Sequence, residues 1–188
     1  MKLVIDAGHG YKPVRGGIVY DPGALGRLGN AVHHEATIAQ HYALSVKYYL
    51  HTLSDGAVKI ALLIADAPEN ALSLQARRRA HPDAQAFISL HCNAATHSTA
   101  QGYETLYTLE HSLPLARVCH SAMQQAFTGR IDRGIKQQGL TVCRREQPAV
   151  LLELGFMTNP SDLAYLLRAD TRKRFARILA QYLLDWLS

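Results

Sequence analysis

Three short apolar runs in this chain each end in a chemically active side chain. No other feature of the sequence constrains the fold so strongly. Leu3-Val4-Ile5 leads into Asp6-Ala7-Gly8-His9-Gly10, Ala86-Phe87-Ile88-Ser89-Leu90 leads into His91, and Ala149-Val150-Leu151-Leu152 leads into Glu153. Brief aliphatic and β-branched runs, almost free of charge, fit strands buried on both faces, as in a covered parallel sheet. Amphipathic segments separate them. Residues 34–53 carry Ile38, Tyr42, Val46, Tyr49, Leu50 and Leu53 on one helical stripe. A second helix runs from Ser112 to Phe127 with Pro114 in its first turn, and a third from Asn159-Pro160 to about Arg168. The last places Phe175, Ile178, Leu179, Tyr182, Leu183 and Trp186 on one face. Strands are also predicted at 58–64, at 102–107 and briefly at 140–143, with a helix from about Asn70 to Ala80. Residues 11–32 and 129–134 are predicted as loops. This alternation predicts one α/β domain over residues 1–188, a single mostly parallel twisted sheet with helices on both faces.

Carboxyl ends of parallel strands share one edge, where open α/β sheets bind their ligands. His9, His91 and Glu153 therefore meet there, and Glu35 joins them because it opens the helix that follows the first strand. Glu35 continues the buried stripe, so its carboxylate points coreward and needs a partner; an exposed glutamate serving the helix dipole is the plainer alternative. Gly8 and Gly10 allow a sharp turn and a close approach to His9. Two histidines and a carboxylate form a known catalytic zinc set that keeps a fourth position for water. Zinc lowers the pKa of bound water to about 7. A further carboxylate can take that water's proton, or stabilise the tetrahedral intermediate and protonate the leaving amine. Gly23, Gly26 and Gly29 do not form a dinucleotide fingerprint, and no Gly-Lys-Ser/Thr follows, which argues against a phosphate cradle. Arg77, Arg78 and Arg79 suit a helix C-terminus. Cys92 should point away from His91, on the opposite face of their strand. His33 and His34 adjoin Glu35 but are poorer ligand candidates, and the remaining histidines lack motif context.

The same residues resemble the zinc-dependent N-acetylmuramoyl-L-alanine amidases of the amidase type 3 fold. Asp6-Ala7-Gly8-His9-Gly10, Asp21-Pro22-Gly23-Ala24 and Glu35 match the opening motifs. Leu74-x-x-Arg77, Ser89-Leu90-His91-Cys92-Asn93-Ala94, Gly102-x-Glu104, Arg133-Gly134-Ile135-Lys136, Pro148 to Phe156 and Asn159 continue the match in order. The resemblance implies that His9, Glu35 and His91 hold zinc and that Glu153 is the catalytic carboxylate. It implies hydrolysis of the amide between N-acetylmuramic acid and the L-alanine of the peptidoglycan stem peptide. One departure is the eleven residues from Gly10 to Tyr20 between His9 and Asp21, where the family usually has about three. That longer segment is expected to edge the cleft. Cell-division members carry an inserted helix that blocks the zinc, and the 61 residues between His91 and Glu153 leave no room for it. Lacking that gate, a signal sequence and a wall-binding repeat, the chain looks most like a phage endolysin. On this view it is made in the cytoplasm and released to lyse the host wall.

Charge and composition agree with that class. Three cysteines without C-x-x-C spacing are expected to be free thiols. The net charge of +5 resides in the second part: residues 111–188 hold eleven basic and six acidic side chains, whereas residues 1–110 balance at nine each. Arg144-Arg145 and Arg172-Lys173-Arg174 are expected to give weak electrostatic contact with an anionic wall or membrane surface. A nucleic-acid partner is not expected, since no recognised binding motif accompanies the arginines. The expected state is a monomer. The rival functions are a catalytically silent peptidoglycan-binding relative and a zinc peptidase acting on the stem peptide.

Overall fold

The computed structural model describes all 188 residues, Met1 to Ser188. A six-stranded sheet is built from β1 (Lys2–Ala7), β6 (Lys59–Leu63), β7 (Ala86–Asn93), β8 (Tyr103–Tyr107), β9 (Asp132–Gln137) and β10 (Ala149–Phe156), in the spatial order β6-β1-β7-β10-β8-β9. The first four strands of that order run parallel; β8 is antiparallel to β10, and β9 runs with β8. The three apolar runs are thus β1, β7 and β10, adjacent at the centre, as their two-sided hydrophobicity requires.

Alternation along the strands divides the core into two layers. Leu3, Ile5, Ile88, Leu90 and Leu152 pack against α1 (Glu35–Leu53), α3 (Leu113–Ala126) and α5 (Ala169–Leu187). Cys92 faces this layer, as expected from its neighbour His91. Val4, Phe87 and Leu151 face a thinner layer containing Val142 and Cys143, flanked by α2 (Leu74–Arg79). The α1 stripe is buried at Ile38, Tyr42, Val46 and Leu50, but Leu53 at its end is 42% exposed. A last short helix, α4 (Pro160–Leu166), is capped by Asn159, whose Oδ1 accepts from the amides of Ser161 and Asp162 at 3.0 Å each. All three cysteines are free and buried.

Several expectations are corrected. Residues 11–32 are not a loop but two hairpins, β2 (Gly10–Val14) with β3 (Gly17–Asp21), and β4 (Leu25–Leu28) with β5 (Ala31–His34). Gly16, at φ +94° in the first turn, supplies the left-handed backbone that a tight reversal needs. Residues 140–143 hold no strand; Thr141–Cys143 form a single 3-10 turn that buries Val142 and Cys143. The sheet edge is taken instead by β9, whose first residues fall in the predicted 129–134 loop. This polar strand, Asp-Arg-Gly-Ile-Lys-Gln, has no apolar run to betray it. Helix α2 starts only at Leu74, capped by the Ser73 hydroxyl, after a 3-10 turn at Pro68–Asn70. Arg145 is not a surface cation: it is 5% exposed and donates to the carbonyls of Arg77 (2.6 Å) and Ala80.

Candidate functional site

The site grows from the turn after β1. His9 adopts φ +64°, a conformation costly for a non-glycine residue, between Gly8 and Gly10. Both glycines are required by space. A Cβ on Gly8 would lie 2.3 Å from the His91 ring, and one on Gly10 would lie 2.3 Å from the Ala65 carbonyl oxygen. The turn is held by Arg77, which is buried rather than serving its helix end. Its guanidinium pairs with Asp6 and donates to the carbonyls of Ala7 (2.6 Å) and His9 (2.5 Å). Ser89 Oγ donates to the other oxygen of Asp6 at 2.6 Å. Removing one partner of a buried ion pair typically costs about 3–5 kcal/mol. Arg77→Ala is therefore expected to lower the free energy of unfolding by about that amount, measured by urea titration, and an unchanged midpoint would refute the clamp.

Glu35 finds the partners its coreward direction demands. Its Oε2 lies 3.1 Å from His9 Nε2 and its Oε1 2.9 Å from His91 Nδ1. The amides of Ala24 (2.8 Å) and Cys92 (3.0 Å) donate to the same carboxylate. Burial opposes its charge, yet the hydrogen bonds and charges of the two histidines win and hold the carboxyl well below the usual range. His9 moves the other way. Burial works against its protonation, but Glu35 and then Asp21 raise its pKa above the ordinary imidazole value. Asp21 Oδ2 lies 3.2 Å from His9 Nδ1 and accepts from Lys12 Nζ at 2.8 Å. Against burial, hydrogen bonds from Lys12, the Gly23 amide and His9 lower Asp21 to about 2. A carboxylate on the far nitrogen of an imidazole fixes its tautomer and orients it for a metal.

One donor atom from each of His9, Glu35 and His91 comes within 4.8 Å of the others. Two neutral-capable imidazoles and a carboxylate held anionic match a zinc donor set, and the 3.1 and 2.9 Å separations fit ligands about 2.0–2.1 Å from one ion. The donors are partly open, with the side chains of His9 and His91 26% and 17% exposed. They border a cavity of about 440 Å³ that runs from Lys12 and Asp21, past both histidines, to Leu151. Leu72, Leu74, Leu140 and Val142 give it an apolar side. The long segment from Gly10 to Tyr20 does edge this cleft, as the β2–β3 hairpin.

Glu153 lies on β10 directly beside His91 in the sheet register, two residues beyond Leu151 on the same face. Its Oε2 is buried with no hydrogen-bond partner. Burial pushes its pKa up to about 7; Glu35 and Glu104 add to the rise, while His91 and His9 counter it. A carboxyl group that changes protonation near neutrality is suited to general acid–base chemistry. The four residues predicted for the site thus converge, while His33 and His34 sit on β5 outside the donor cluster.

The supports are not evident from the chain itself: Asp21 lies in Asp21-Pro22-Gly23-Ala24 with no partner in view, and Arg77 lies in a run of three arginines that suits a helix C-terminus. The overlooked signal was Asp6: a carboxylate inside a buried apolar strand requires a buried cation.

Comparison with known proteins places these motifs. The family described as N-acetylmuramoyl-L-alanine amidase matches residues 3–184. A segment of 78 residues is 40% identical to the probable cell wall amidase LytH of Staphylococcus epidermidis, covering 41% of this chain and 26% of that protein. The match thus spans about a quarter of that relative's length. The catalytic domain of CwlV, an amidase from Bacillus (Paenibacillus) polymyxa var. colistinus, superposes with a TM-score of 0.80 at 30% identity over 99% of this chain and 97% of that one. An N-acetylmuramoyl-L-alanine amidase from Clostridium difficile 630 superposes with a TM-score of 0.84 at 26% identity, covering 99% and 96%.

Proposed function

This chain belongs to the N-acetylmuramoyl-L-alanine amidase family, and from that premise we propose that it hydrolyses the amide joining N-acetylmuramic acid to the L-alanine of the peptidoglycan stem peptide. The observation that carries the proposal is the convergence of His9, Glu35 and His91 beside a buried carboxyl group with an unpartnered oxygen. His9, Glu35 and His91 would hold zinc, with Asp21 orienting His9. When bound, zinc makes hydroxide available at neutral pH and polarises the scissile carbonyl. Glu153, as the carboxylate, accepts the proton of the attacking water. As the acid it then delivers that proton to the alanine nitrogen as the carbon–nitrogen bond breaks. The products are the lactyl carboxylate and a free alanine amine.

The function extends to cell lysis, with the enzyme made inside the cell and released to the wall. The open cleft supports this: the segment between His91 and Glu153 holds β8, α3, β9 and two 3-10 turns, without an additional helix. Exposed Lys173 and Arg174 add attraction to an anionic wall, screened over about 8 Å at physiological salt.

Digestion of purified peptidoglycan is expected to release free L-alanine amino termini and no new reducing sugar ends, identified by mass spectrometry. Amino termini on other residues would make the enzyme a stem-peptide peptidase, and no products at all would make it a silent binder. Clearing of whole-cell suspensions when the protein is applied to their walls tests the lytic role.

A further inference from the structure

One motif, Arg133-Gly134-Ile135-Lys136, has no part in the chemistry above. It lies on the edge strand β9, and its two cations converge on Glu104, the residue of β8 paired in register with Glu153. Charges are therefore ordered along the carboxyl edge of the sheet: the histidine–glutamate cluster, Glu153, Glu104, then Arg133 and Lys136. Glu104 is 6% exposed and fully committed, since its Oε1 accepts from Asn93 Nδ2 at 2.9 Å and its Oε2 accepts both cations.

The cations are not fully used. Two positive charges face one carboxylate, and the side chains of Arg133 and Lys136 remain 34% and 44% exposed. Arg133 is oriented from two directions. Its Nε donates to Glu104 at 2.9 Å, and its guanidinium carbon lies 4.9 Å from the centre of the Phe156 ring. Its two Nη groups make no hydrogen bond within the protein, whereas Nε is spent. A guanidinium fixed in plane with a free pair of terminal donors is preorganised for a carboxylate.

Resting on the amidase reading, we propose that Arg133 and Lys136 form a subsite for a free carboxylate of the stem peptide, and so set which peptidoglycan the enzyme prefers. The residue after L-alanine in stem peptides is a γ-linked glutamate, whose α-carboxyl group is free in some walls and amidated in others. Strands about 4.8 Å apart put β9 roughly 10 Å from β10. Two residues of extended peptide from the scissile nitrogen cover roughly 7 Å, and the long Arg133 side chain spans the remainder. A carboxamide offers neither the charge nor the second acceptor oxygen, so it gains less from the same donors.

Binding of L-alanyl-γ-D-glutamyl-L-lysinamide, and of the same peptide with its glutamate α-carboxyl amidated, tests this by calorimetry on the zinc-loaded protein. The two ligands differ in one group, and neither needs to be cleaved. The carboxylate form is expected to bind about tenfold or more tightly, the scale of a hydrogen bond to a charged group. Arg133→Gln and, separately, Lys136→Met should each shrink that ratio, and each leaves one cation on Glu104 so that the buried charge stays paired. In turnover of the matching muropeptides, the variants should raise KM for the carboxylate substrate while kcat is kept. Equal binding of the two peptides by the wild-type protein, or a preference that survives in both variants, would overturn the subsite. Discrimination between the peptides without cleavage of either muropeptide would support the subsite and remove the amidase reading instead.

Discussion

Glu153→Gln is expected to reduce hydrolysis by about 10²–10⁴-fold, the usual contribution of a positioned acid–base group, while zinc content and thermal stability stay near wild type. Glutamine keeps the shape and removes the proton transfer. It also replaces a carboxyl group whose ionisation burial opposes with a neutral amide of the same size, so no loss of stability is expected beside the loss of rate. Metal analysis beside the assay separates the roles: loss of zinc would make Glu153 a ligand, and retained activity would make it structural. The pH profile adds a sign. Burial raises Glu153 to about 7, so the base form is lost as pH falls through that region. Wild-type kcat/KM should therefore rise with pH along an acid limb at or below about 7, lower to the extent that zinc's charge favours the carboxylate. The glutamine variant should lack that component of the limb.

Chelation is expected to abolish activity, and stoichiometric zinc to restore it. Replacing His9, Glu35 or His91 by alanine should lower zinc content and rate together, because each supplies one of three protein ligands. Full activity in a preparation shown to be metal-free would end the zinc assignment. Protons compete with the metal at His9, whose pKa is raised chiefly by Glu35 and Asp21 against the effect of burial. Zinc affinity should therefore weaken as pH falls through the His9 pKa. Glu35 stays ionised far below that range and adds no competition there. Titration of zinc affinity against pH by a competing chelator measures the effect. Asp21→Asn should weaken the affinity without removing a ligand, since a carboxylate hydrogen-bonded to the far nitrogen of a metal-binding histidine typically contributes about 10–100-fold.

The parts of this site that could be read in the chain are those governed by short-range rules. Short two-sided apolar runs, β-branched and bounded by glycine or polar residues, fit central strands, so β1, β7 and β10 were legible, and with them the common edge that gathers His9, His91 and Glu153. Glu35 was legible because it continues a buried helical stripe. Motif resemblance pointed to the family, which the amidase match over residues 3–184 shows, and implied the roles. The hairpins at 10–34 and the edge strand β9 were not legible. Their stability comes from backbone pairing with distant or exposed partners, which leaves little hydrophobic pattern.

Sequence alone determined the α/β class, the central strands and the four residues that meet at their carboxyl edge, because alternation, strand length and chain direction follow from local chemistry. Tertiary structure decided which charges face which. Arg77 and Arg145, neighbours of surface-seeming arginines, are buried against carbonyls and Asp6, while Arg133 and Lys136 share Glu104 from another strand. Such pairings join residues up to 71 positions apart. A buried charge must find a partner, but only the folded path of the chain selects which partner comes within reach.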